Sequence, residues 1–101
     1  MKKMTDEEVT AAVSQLAGWS VQNGKLHREY KFPDFKPAID FMAAAVPGIE
    51  EMNHHPEWAN VYNRVTVDLT THDAGGITQN DFNLAALLEV VAQKGLAKKL
   101  P

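Results

Sequence analysis

Three imidazoles fall close together in this chain: His54 and His55 side by side, and His72 beyond a strand-like stretch. Imidazole is the side chain whose ordinary pKa lies near neutrality, so it can give or take a proton at working pH. It is also a common metal ligand. A proton-transfer site and a three-histidine zinc site are therefore the two chemistries this spacing suggests. Adjacent residues on extended chain diverge in direction, and the helical two-histidine spacing is absent, so zinc is the weaker of the two.

These histidines need a scaffold that closes residues 54–72 on themselves. Val61, Asn63, Val65, Val67 and Leu69 share one parity, and Tyr62, Arg64, Thr66, Asp68 and Thr70 the other. The run exceeds the usual strand of about 5–6 residues, so a hairpin is expected, turning at Asn63-Arg64. Tyr62 then faces Val65, Asn60 faces Val67 and Trp58 faces Leu69. Extending that ladder sets His55 opposite His72, with fraying at Pro56, which cannot donate to a ladder; a slip in the turn would favour His54 instead.

Thr5 with Glu8 three residues on reads as a capping box, opening a helix through Val9, Val13 and Leu16 that Gly18 stops. Trp19-Ser20-Val21 and Leu26 to Phe32 read as strands about Asn23-Gly24, a strong hairpin signal. His27 falls on the polar side of that second, exposed strand. Asp34 is positioned to cap a second helix through Phe35, Ala38, Ile39, Met42 and Val46. Pro47-Gly48 should kink or divide it, because an interior proline costs ~3 kcal/mol or more. Asp73 to Gly76 reads as a turn. Thr78 caps a third helix, with Asp81 three residues later and Phe82, Ala85, Leu88 and Val91 on its apolar face. Gly95 should end or fray it, and Ala97 to Pro101 is a short basic tail expected to be solvated.

The expected fold is α+β: a four-stranded antiparallel sheet with helices on one face, in the order α-β-β-α-β-β-α. At 101 residues the chain has room for one core, hence a single domain over 1–101. Cysteine is absent, which excludes a thiol nucleophile and thiolate ligands and fits a cytoplasmic setting. The net charge of −3 argues against a nucleic-acid surface. No apolar run approaches the ~20 residues of a membrane span.

Site candidates beyond the histidines carry plainer readings too. Asp81 can orient an imidazole, or serve only the start of the third helix. Trp58 can border a flat ligand, or only pack.

The run His54-His55-Pro56-Glu57-Trp58-Ala59-Asn60-Val61-Tyr62-Asn63-Arg64-Val65 resembles the double-histidine segment of the pterin-4a-carbinolamine dehydratases. Thr71-His72-Asp73, Gly76-Ile77-Thr78 and Asp81-Phe82-Asn83-Leu84-Ala85 resemble the downstream segment. A weaker frame, including Trp19 and Phe41-Met42, extends over nearly the whole chain. The resemblance implies the same α+β fold and dehydration of 4a-hydroxytetrahydropterin to quinonoid dihydropterin in tetrahydropterin recycling, with no metal or organic cofactor. It implies that His54, His55 and His72 are the active-site histidines, that Asp81 is an acidic residue of that site, and that Glu50 lies near it. Trp58 would border the pterin. Asn53 stands where members often carry aspartate, and Pro47-Gly48 departs from the usual uninterrupted helix. The resemblance further implies a homodimer or homotetramer. A protein partner is the alternative function, since animal members act as a dimerisation cofactor of a transcription factor.

Overall fold

The computed structural model describes residues 2–99, and Leu100 and Pro101 of the expected basic tail lie outside the described residues. Helix α1 (Asp6–Val13) is followed by strands β1 (Ser20–Gln22) and β2 (Lys25–Lys31), helix α2 (Phe35–Met52), strands β3 (Glu57–Val61) and β4 (Arg64–Leu69), and helix α3 (Gln79–Lys99). The four strands form one antiparallel sheet in the order β1-β2-β4-β3. The expected order of elements is the one observed. No described helix is long and apolar enough to cross a membrane.

Local signals account for the first hairpin and the first helix. Thr5 accepts from the Glu8 backbone N–H, and the Glu8 side chain accepts from Thr5 N, closing the capping box. Asn23 and Gly24 both take positive φ, 53° and 75°, as a two-residue primed turn between twisted strands requires. Alternation then sorts the sheet faces. Leu26, Tyr30, Phe32, Val65, Val67 and Leu69 are buried beneath the helices. Phe41 of α2 packs 4.9 Å from Tyr30 and 5.3 Å from Phe32, centroid to centroid. Such pairs add about 0.5–1.5 kcal/mol each beyond the area they bury.

Six details differ from the sequence reading. Helix α1 stops at Val13, so Gly18 lies in the following turn at φ 88° and does not itself end the helix. Strand β2 is interior to the sheet, so His27 sits on the polar face of a paired strand, its Nδ1 2.8 Å from Asp68 Oδ1. Asp34 occupies the N-cap of α2 but makes no side-chain capping bond.

Helix α2 also runs through Pro47 as one element. Phe41, Ala45 and Ile49 stay buried on one face across the proline. Gly48 lets α3 approach: a Cβ there would lie 2.7 Å from Leu87 Cδ2. Burial on both sides of the proline outweighs the lost hydrogen bond. Helix α3 likewise continues past Gly95 to Lys99.

The second hairpin turns at Tyr62-Asn63, one residue earlier than expected. Val61 pairs with Arg64, Asn60 with Val65 and Trp58 with Val67. Tyr62 adopts φ 52°, uncommon for a non-glycine residue. The Asn60 amide holds the turn, donating to Tyr62 O at 3.0 Å and Arg64 O at 2.9 Å. The partners shift by two residues, so every side chain keeps its expected face, but His55 and His72 are no longer in register.

Candidate active site

The residues between α2 and β3 begin with a backbone reversal. Asn53 caps the C-terminus of α2 in the left-handed region, φ 50° and ψ 43°, its N–H directed to Glu50 O and Ile49 O. Asparagine tolerates this conformation better than most residues with a side chain. The reversal takes the chain off the helix axis. His54 then turns inward, its side chain 12% exposed, and His55 turns outward, 58% exposed.

Asp81 receives His54. It is the third residue of α3 and is fully buried. Its Oδ1 lies 2.6 Å from His54 Nε2. Its Oδ2 accepts from the Thr78 backbone N–H and from Thr71 Oγ1, each at 2.9 Å. Thr78 Oγ1 in turn accepts from Asn80 N at 3.2 Å and lies 2.8 Å from Thr71 Oγ1. The proton directions follow. Thr71 gives its one proton to Asp81, so Thr78 must donate to Thr71. The two readings of Asp81 are therefore both realised: one oxygen closes the helix start and the other meets the imidazole.

A carboxylate only accepts, so His54 Nε2 carries hydrogen. When this ring is neutral, Nδ1 holds the lone pair.

The other two imidazoles are held nearer the surface. His55 Nε2 lies 2.7 Å from Glu50 Oε2 on the last turn of α2. His72 begins a short 3-10 turn, His72–Ala74, just beyond β4, and its Nε2 lies 3.1 Å from Glu57 Oε2. Glu57 Oε1 also meets Lys25 Nζ at 2.5 Å. The Lys25 hydrogen bond, with His72 adding to it, holds the Glu57 carboxyl below the usual carboxylate range.

All three histidines thus offer Nε2 to a carboxylate. The structure brings His54 to Asp81 and His55 to Glu50, and holds His72 through Glu57 rather than against His55. Glu57 was not among the sequence candidates. Its signal lay in the pattern, since it opens β3 at the end of the hairpin where β4 runs out toward His72. Trp58 packs edge-on against Phe41 at 6.3 Å and is half-buried, so part of its ring serves the core. Among the described residues no three His, Asp or Glu side chains converge as a metal-ligating group. A cavity of about 330 Å³ lies against α1 and the first hairpin, lined by Lys3, Val9, Val21 and Ile77 among others, with none of the three histidines in its wall.

The fold is that of an α+β protein with three carboxylate-backed histidines at one end of the sheet. The chain belongs to the pterin 4 alpha carbinolamine dehydratase family, whose sequence profile matches residues 2–91. It is 59% identical over 90 residues to a protein of Solibacter usitatus (strain Ellin6076) named "Putative pterin-4-alpha-carbinolamine dehydratase"; the match covers 89% of this chain and 95% of that one. A relative of the same name from Rhodopseudomonas palustris (strain BisB18) is 46% identical, covering 91% of this chain and 93% of the other. The crystal structure of a transcriptional coactivator/pterin dehydratase from Brucella melitensis superposes with a TM-score of 0.86 at 40% identity, covering 90% of this chain and 99% of that one.

Proposed function

We propose that this protein dehydrates 4a-hydroxytetrahydropterin to quinonoid dihydropterin by histidine acid–base catalysis, in the recycling of tetrahydropterin in the cytoplasm. The observation that carries this reading is the His54–Asp81 pair, in which a buried carboxylate fixes one imidazole tautomer. In the reaction the bond from C4a to oxygen breaks. The oxygen accepts one proton and leaves as water, while a ring N–H loses its proton and its electron pair closes the C=N bond. One proton enters and one departs, with no net redox change. A neutral imidazole suits the removal and a protonated one the delivery.

His54 and His72 carry these transfers. His55, tethered to Glu50, mainly binds substrate, and the free part of Trp58 borders the pterin. Neither step calls for a metal or an organic cofactor. The test is a dehydration assay on freshly generated carbinolamine after exhaustive chelation. Acceleration over the spontaneous reaction, indifferent to the chelator, is expected. No acceleration would overturn the reading, and activity regained only with zinc would favour metal chemistry.

A second role, contact with protein, is supported by one surface. Phe35, Ile39 and Val46 of α2 are exposed at helical spacing, 52%, 37% and 47% respectively, and an apolar stripe of this kind favours a partner. A homodimer or homotetramer is the reading that the unpaired edges of β1 and β3 also support. Sedimentation equilibrium at micromolar protein tests it; a single 11.2 kDa species throughout would exclude self-association.

A further inference from the structure

Thr71 has two sets of contacts that no other residue of the site combines. Its hydroxyl donates to Asp81 Oδ2 at 2.9 Å, and the other oxygen of that carboxylate holds His54. Its backbone frames the turn carrying His72: Thr71 O accepts from Ala74 N at 3.1 Å and Gly75 N at 3.0 Å, and Thr71 N donates to Gly76 O at 3.0 Å. The side chain reaches one catalytic histidine through Asp81, and the main chain sets where the other leaves β4. Thr71 is β-branched, so few χ1 rotamers are open to it. Movement of its backbone is therefore passed to its hydroxyl.

We infer that Thr71 is the positioning residue that registers His54 against His72, using the Asp81 carboxylate as the shared point. The inference rests on the proposed roles of these two histidines. Asp81 is fully buried, and water cannot readily replace a donor it loses. Without the Thr71 hydroxyl, Oδ2 keeps only the Thr78 N–H, and the Thr78 hydroxyl loses its acceptor. The carboxylate is then free to rotate toward the remaining donor, and Oδ1 moves off the His54 ring. The turn bearing His72 loses its side-chain tie to α3 at the same moment.

The test compares Thr71→Val, which keeps the shape and removes the hydroxyl, with Thr71→Ser, which keeps the hydroxyl. Two readouts are taken on the whole protein. The first is solvent exchange of the His54 Nε2 proton, followed by proton–nitrogen NMR with no substrate present. The second is steady-state dehydration of the carbinolamine. In Thr71→Val the His54 proton should exchange at least about tenfold faster, and kcat should fall about tenfold with KM within about twofold, as expected for a lost hydrogen bond to a charged group. Thr71→Ser should return both to within about threefold of the parent.

A Thr71→Val protein that retains the protected His54 proton overturns the inference, whether or not its melting temperature has dropped. So does a Thr71→Ser protein no better than valine. If the valine variant does not fold, Thr71→Ala is read by the same criteria. If the parent protein fails to accelerate dehydration, the proposed reaction falls and the His54 proton alone decides the positioning role.

Discussion

Asp81 Oδ1 lies 2.6 Å from His54 Nε2, joining the residue after the α2 cap to the first turn of α3. The carboxylate has no solvent exposure and is satisfied by three donors, His54, Thr71 and the Thr78 N–H. Asp81→Asn offers one oxygen and one NH2 to a site made only of donors. The amide then either sets a donor against a donor or turns its NH2 to His54 and imposes the opposite tautomer on the ring. We expect a kcat loss of tenfold or more and a destabilisation of about 1–3 kcal/mol, read by steady-state kinetics and urea unfolding. An unchanged kcat would remove Asp81 from the site.

The roles proposed for the three imidazoles predict separable kinetic effects. His54→Ala and His72→Ala should chiefly lower kcat, by about 10²-fold or more, as loss of a general acid or base does. His55→Ala should mainly raise KM, in keeping with the binding role proposed for it. The reverse pattern would exchange the assignments.

Tyr30 sets an alkaline limit. Its ring is buried and its hydroxyl donates to Glu89 Oε2. Burial first, and then the Glu89 carboxylate, pushes the phenol well above its ordinary range. The folded value exceeds the unfolded one, so the stabilisation is complete below about pH 10. It is lost as pH rises from there through the folded value. Urea midpoints should fall between about pH 10 and 11 in the parent and less steeply in Tyr30→Phe. Equal slopes would refute the assignment.

Gly18 makes a different kind of contribution. A Cβ at this position would sit 1.5 Å from Arg28 Nη1, which donates to Ala17 O at 2.7 Å, and the backbone is in the left-handed region. Gly18→Ala should cost about 1–3 kcal/mol, measured by urea unfolding, with the dehydration rate per folded molecule unchanged. A variant as stable as the parent would show that Arg28 relocates freely.

The elements legible in the sequence are those fixed by neighbours in the chain. The Thr5–Glu8 box, the Asn23-Gly24 turn, the Thr78–Asp81 helix start and the alternation that sorts the sheet faces are all short-range. Pro47 does not divide α2, one of the two outcomes expected there, because its local cost is offset by Phe41, Ala45 and Ile49, whose burial depends on the rest of the fold. The second turn misleads because a tyrosine takes a conformation that Asn60 supports from two residues away. At the site, the histidines and Asp81 could be named, yet their partners could not be assigned. Which carboxylate meets which ring depends on the helix cap at Asn53 and on a hairpin register two residues from the expected one.

The left-handed cap at Asn53 makes strangers of two consecutive histidines. To a reagent that acylates imidazole, His55 and His72 stand in solvent, while His54 lies behind the protein surface with one nitrogen already engaged. Timed modification should therefore mark positions 55 and 72 early and position 54 late. Mass spectrometry of the same tryptic peptide would show its two adjacent histidines acquiring label on different clocks. One peptide bond separates them along the chain, but the inward ring responds to opening of the fold and the outward one to the reagent in solution.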